Sequence, residues 1–106
     1  MTIKSINEVL EGLQQQSADE VLGYSLTTTP WGGVPSNAVV KAYEAGSNVD
    51  VTAILFPANV PTILGDVITT DKLRGLTPDK TYRIEIGWDD TDGYHWEAMF
   101  RLLCTF

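Results

Sequence analysis

The residue types able to do chemistry near neutral pH are few, and they crowd into one stretch, "GWDDTDGYHWEAM", where His95 follows Asp90 and Asp92 and precedes Glu97. His95 is the only histidine, hence the one side chain whose ordinary pKa lies near neutrality. As a general base it would need a nucleophile within reach and a third group to orient the ring. The acidic neighbours could orient it. No serine is placed by the sequence to be activated, however, and the sole cysteine, Cys104, falls on the core-facing alternation of a strand. His95 reads as a surface-strand residue.

"DDTDG" offers hard oxygen ligands of the kind calcium takes. An EF-hand counted back from Gly93 would need a ligand where Trp88 stands and a Glu where Met99 stands, so the spacing reads as a solvated hairpin tip. "WGGVP" lacks the lysine and the strand-to-helix setting of a phosphate loop. The remaining acids are scattered over turns and strand faces rather than paired for glycoside hydrolysis. The expectation is therefore no catalytic residue, no metal, no cofactor and no enzyme.

Binding remains. Trp31, between Pro30 and "GGVP", reads as a loop residue, and Tyr94 flanks a turn; exposed aromatics of this kind stack on sugar rings or anchor protein interfaces. Trp31, Tyr94, His95, Asp90 and Asp92 form the candidate interaction surface, with carbohydrate or protein as ligand class.

These residues must be positioned by one domain, since 106 residues leave little room for two. The net charge of −7 argues against nucleic acid, whose backbone is bound by clustered Lys and Arg. Lys72, Arg74, Lys80 and Arg83 come near one another, but Asp71, Asp79 and Glu85 interrupt them. A single cysteine permits no intrachain disulfide and fits a reducing compartment. The N-terminus lacks the uninterrupted apolar run of a secretory signal, and no stretch approaches the roughly 20 apolar residues of a membrane span. The expected setting is soluble and intracellular, without a membrane partner.

Two regions divide the chain. Residues 1–19 read as a helix and connector: Ile6, Val9, Leu10 and Leu13 recur at helical spacing, Ser5 and Glu8 sit at capping-box spacing, and "QQQS" frays. That apolar stripe must bury against the domain or mediate assembly with another subunit. Residues 20–106 read as strands punctuated by turns about every ten residues, the spacing of an all-β sandwich. "VLGYSLTTT", "NAVVKAYEA", "VDVTAILF" and "GDVITTDKL" are strand candidates, and Pro57 and Pro61 bracket a loop.

The last two strands have the cleanest period. Tyr82, Ile84, Ile86 and Trp88 alternate with Arg83, Glu85 and Gly87; Trp96, Ala98, Phe100, Leu102 and Cys104 alternate with His95, Glu97, Met99, Arg101 and Leu103. A two-residue turn would set Trp88 opposite Glu97 and mix the two faces. A three-residue loop, Thr91-Asp92-Gly93, with Gly93 left-handed, sets Trp88 opposite Trp96 and Ile84 opposite Phe100. It also sets Arg83 opposite Arg101, a cost that Glu85, diagonal to Arg101, offsets in part.

"LTPDKTY" has a Leu-x-Pro-x-x-x-Tyr spacing that resembles the corner before strand F in fibronectin type III and related immunoglobulin-like domains. The resemblance implies that Tyr82 is a tyrosine corner after Pro78, its hydroxyl bonded to backbone a few residues upstream. Asp79 stands where Gly is common and Lys80 where Thr is common; Asp tolerates turn conformations. The order "DEVLGYSLTTTPW", "DVTAIL", "GDVITTDKLRGLTPDKTYRIEIGW" is similar to small immunoglobulin-like structural proteins of tailed phages and prophages. That similarity implies an immunoglobulin-like antiparallel β-sandwich of about seven strands with a short N-terminal α-helix. It also implies a virion or virion-assembly component in a bacterial cytoplasm, in contact with other phage proteins or with itself.

Overall fold

The computed structural model describes residues 6–8, 13–31 and 34–106, and its period-2 segments pair into two four-stranded sheets. One sheet holds β1 (Ile6–Glu8), β3 (Gly23–Thr27), β6 (Val67–Thr69) and β5 (Thr62–Leu64), in that spatial order. The other holds β2 (Leu13–Gln16), β8 (His95–Cys104), β7 (Thr81–Asp89) and β4 (Ser36–Glu44). Pairing is antiparallel except for β1 beside β3 and β2 beside β8, which are parallel. The chain is an all-β sandwich.

The inward sets of both sheets meet in one core. Tyr24, Leu26 and Ile68 come from the first sheet; Val40, Ala42, Ile84, Ile86, Trp88, Phe100, Leu102 and Cys104 come from the second. The rings of Tyr24 and Phe100 bridge the two at 5.1 Å between centroids. Each fully buried large apolar side chain of this set stabilises the fold by about 1.5–3 kcal/mol relative to exposure. In β4, Val40 and Ala42 are buried while Val39 points out, as its alternation requires.

The β7–β8 hairpin has the register of the three-residue loop. Trp88 pairs with Trp96, Ile84 with Phe100 and Arg83 with Arg101. Gly93 has φ +86, the left-handed conformation the loop needs at that position. The like-charge pair is relieved differently from expectation. Glu85 bonds its own strand's Arg83 at 2.9 Å, the Arg83 guanidinium also donates to Asn48 Oδ1 at 2.6 Å, and it stacks 4.7 Å from the centre of the Tyr43 ring.

At the entry to β7 the Tyr82 hydroxyl accepts the backbone N–H of Thr77 at 2.9 Å, across a chain reversal in which Asp79 has φ +68. Asp is among the residues that tolerate this left-handed conformation.

Two sequence expectations are corrected, and one strand was not foreseen. Among the described residues the expected N-terminal helix gives way to strands: Ile6 lies in β1 and Leu13 in β2, while Val9 and Leu10 lie outside the described residues. β1 and β2 join opposite sheets, so these two strands are built into the sandwich rather than appended to it. β2 ends on Gln16, which is 1% exposed. Its amide donates to the carbonyls of Glu20 (2.9 Å) and Leu73 (3.0 Å), and its oxygen accepts the Tyr24 hydroxyl at 2.7 Å. A buried amide is tolerated here because its partners are in place.

"VDVTAILF" does not continue as a strand. Thr52–Leu55 form a single helical turn, α1, with Val51, Leu55 and Phe56 buried at helical spacing. The Asp50 carboxylate accepts the Thr52 N–H at 2.9 Å, and the Thr52 hydroxyl bonds both the N–H and the carbonyl of Ala42. With the backbone bonds of Glu44 N–H to Val49 and of Val51 N–H to Ala42, this turn closes the outer edge of β4 at residues 42–44 to another strand. β5, unassigned from sequence, lies just after Pro61 and is exposed at all three positions.

Candidate functional site

The candidate surface gathers at one pole of the sandwich, around the β7–β8 tip. Asp90 organises it. Its Oδ1 accepts the N–H groups of Asp92 (2.8 Å) and Tyr94 (3.0 Å), and its Oδ2 accepts the indole N–H of Trp96 at 2.8 Å. Its own backbone exchanges bonds with Tyr94 and Gly93, which closes the loop. These bonds, that from Trp96 first, hold its carboxyl below the usual aspartate range. At 9% exposure Asp90 belongs to the framework of the turn, a correction to its place on the candidate contact surface.

Trp31 is also drawn inward. It ends a 3-10 turn, Thr29–Trp31, and packs edge-on against Trp88 with ring centroids 5.6 Å apart. The Trp88 ring is fully buried beneath it. Trp31 is partly buried against the core and so plugs this end of the sandwich. Trp96 likewise lies half-buried rather than wholly inside, its indole N–H anchored by Asp90.

What projects is Tyr94, 64% exposed, its ring 6.5 Å from that of Trp96. Asp92 projects beside it, and its carboxylate makes no hydrogen bond or ion pair among the described residues.

His95 lies one step along β8, on the outer face of the sheet. Its Nδ1 meets Asp89 Oδ1 at 2.9 Å and its Nε2 lies 3.5 Å from Glu97 Oε2. Asn37, with φ +54 at the β4 bulge, donates to the other Asp89 oxygen at 3.1 Å. Gly87 makes room for the ring, since a Cβ there would stand 3.3 Å from His95 Cε1. Asp89 first and Glu97 next push the His95 pKa up, and the same contact lowers that of Asp89. With carboxylates at both ring nitrogens, this histidine is suited to carrying a positive charge rather than to taking a proton from a nucleophile. The nearby Ser36 hydroxyl is directed to the Asp89 carbonyl at 3.4 Å, not to the imidazole. Cys104 is buried at the other end of β8, and burial raises its thiol pKa.

No set of three or more His, Cys, Asp or Glu side chains is arranged to hold a metal ion among the described residues. None of their helices is long and apolar enough to cross a membrane. Sequence reasoning named Glu97 among the acids beside His95 but missed Asp89 and Asn37. The clue was available in part, because β-strand period 2 and the hairpin register place Asp89 directly opposite His95. Asn37 reaches them only through a bulge, which no pattern announced.

Set against known proteins, the chain matches no family model, and no curated protein is significantly similar to it.

Proposed function

We propose that the protein is a non-enzymatic component of a phage or prophage virion, or of its assembly, and that it works by protein–protein contact in the cytoplasm of a bacterial host. The strand order supports an immunoglobulin-like topology, in which one sheet carries strands A, B, E and D and the other C, F and G. The orders β1-β3-β6-β5 and β2-β8-β7-β4 lend support to that division, although the edges β1 and β2 pair in parallel rather than antiparallel. The Tyr82 to Thr77 bond supports it at the corner before strand F.

The observation that carries the contact reading is the tip itself. A loop pinned by Asp90 presents Tyr94 and a free Asp92 carboxylate on a rigid base. An exposed aromatic on a preorganised loop is what an interface anchor requires, because little side-chain or loop entropy is lost on docking.

The test is genetic. Deleting the gene from the encoding phage or prophage should leave incomplete particles visible by electron microscopy, with portal, terminase, capsid or tail-completion genes beside it. Normal particles at normal yield would overturn the proposal.

A carbohydrate-binding module is the second reading, favoured by the Tyr94 and Trp96 rings standing together at the tip. Glycan-array and calorimetric titrations of wild type and Tyr94→Ala decide it. Binding lost in the variant supports it, and no binding by wild type removes it.

A further inference from the structure

The pole opposite the hairpin tip carries a groove of about 480 Å³ whose lining includes Val21, Gly23, Val60, Thr62, Lys72 and Arg74. The two poles are joined by β3. It starts at Gly23 in the groove and runs to Thr27, after which the chain reaches Trp31, seated on Trp88 beside the tip.

The groove brings two cations of this acidic chain together. With a net charge of −7, copies of the protein repel one another over most of their surface. Lys80 and Arg83 are paired with Glu44 and Glu85, whereas Lys72 and Arg74 form no ion pair among the described residues. Asp71 lies in the same groove, its oxygens accepting the N–H of Val60 at 3.0 Å and of Lys72 at 2.8 Å; it stays ionised beside Lys72 and Arg74, so the groove keeps one net positive charge. The walls are apolar where they protrude: Val60 is 64% exposed and Val21 39%.

The tip is the complement. Its Asp92 carboxylate has no partner among the described residues, and its Tyr94 ring is exposed. We propose that the groove receives the hairpin tip of a second copy of this chain, Tyr94 packing between Val21 and Val60 while Asp92 meets Lys72 and Arg74. Donor and acceptor surfaces lie at opposite poles, so the contact is head-to-tail. Such a heterologous contact leaves one tip and one groove free in every pair, and it closes only by forming a ring or continues as a filament. This deepens the assembly reading and rests on it.

Sedimentation velocity over a micromolar-to-millimolar series tests it with two neutral double variants, Lys72→Gln/Arg74→Gln in the groove and Asp92→Asn/Tyr94→Ala at the tip. All these side chains are at the surface, and unfolding curves of each variant check that the fold is kept. Wild type should associate beyond a dimer, more weakly as salt screens the charges. Each variant alone should associate about tenfold more weakly or remain monomeric. An equimolar mixture should stop at a one-to-one heterodimer, since each partner retains one intact surface. Wild type that stays monomeric throughout, or a groove variant that associates as wild type does, overturns the proposal. A chain that enters particles as a monomer would overturn it while leaving the assembly reading intact.

Discussion

The indole N–H of Trp96 donates to Asp90 Oδ2 at 2.8 Å, and this one bond ties the hairpin tip to the half-buried layer beneath it. Asp90 and Asp92 are two residues apart and chemically identical, yet only Asp90 is committed to the turn. Asp90→Ala should lower the melting temperature and the denaturant midpoint, because it frees two backbone N–H groups and the indole. Asp92→Ala should leave both unchanged. Thermal and urea unfolding of the pair check this, and equal effects would remove the distinction.

Gln16→Ala should destabilise by about 2–4 kcal/mol, since it removes the acceptor of the buried Tyr24 hydroxyl's bond and the donor to two carbonyls. Equilibrium unfolding in urea measures it. A loss within error would mean that the buried amide contributes no more than an apolar side chain would.

Tyr82→Phe keeps the ring and deletes the acceptor of the Thr77 N–H, so it should cost about 1 kcal/mol or somewhat more. The same unfolding experiment reads it, and an unchanged midpoint would argue against the corner as a stabilising bond.

His95 should titrate above the ordinary histidine value of about 6.5, as followed by its ring proton shifts in NMR. Asp89→Asn should bring it down, and Glu97→Gln should do so less. The sign of the stability effect follows from the raised folded pKa. The contribution of His95 is fully present below the unfolded value and is lost as pH rises through the folded one. Asp89 and Asp90 act in the opposite sense: their lowered pKa values add stability above the usual aspartate range, and it fades as pH falls through those lowered values.

The hairpin was legible because its apolar residues alternate without a break, so only one loop length keeps Trp88, Ile84 and Tyr82 on the buried face. The bond between Thr77 and Tyr82 was expected only through the resemblance of "LTPDKTY" to the corner of fibronectin type III domains. The N-terminal stripe misled because β1 and β2 are three and four residues long. One apolar residue in each short strand carries no period of its own, and the choice was made by long-range pairing with β3 and β8. Thr52 misled for a related reason. Its hydroxyl closes the edge of β4 at Ala42, a contact that propensity does not encode. At the tip, residue type alone could not separate Asp90 from Asp92 or show that Trp31 packs on Trp88. Those differences lie in which backbone N–H groups and rings the fold brings alongside.

The claim that the tip acts by contact, without chemistry, is tested most directly by complementation. A phage or prophage lacking the gene is supplied with wild type or with Asp92→Asn/Tyr94→Ala, and the yield of infectious particles is counted. The account predicts that the variant unfolds as wild type does but restores few particles. Full restoration by the variant would contradict it.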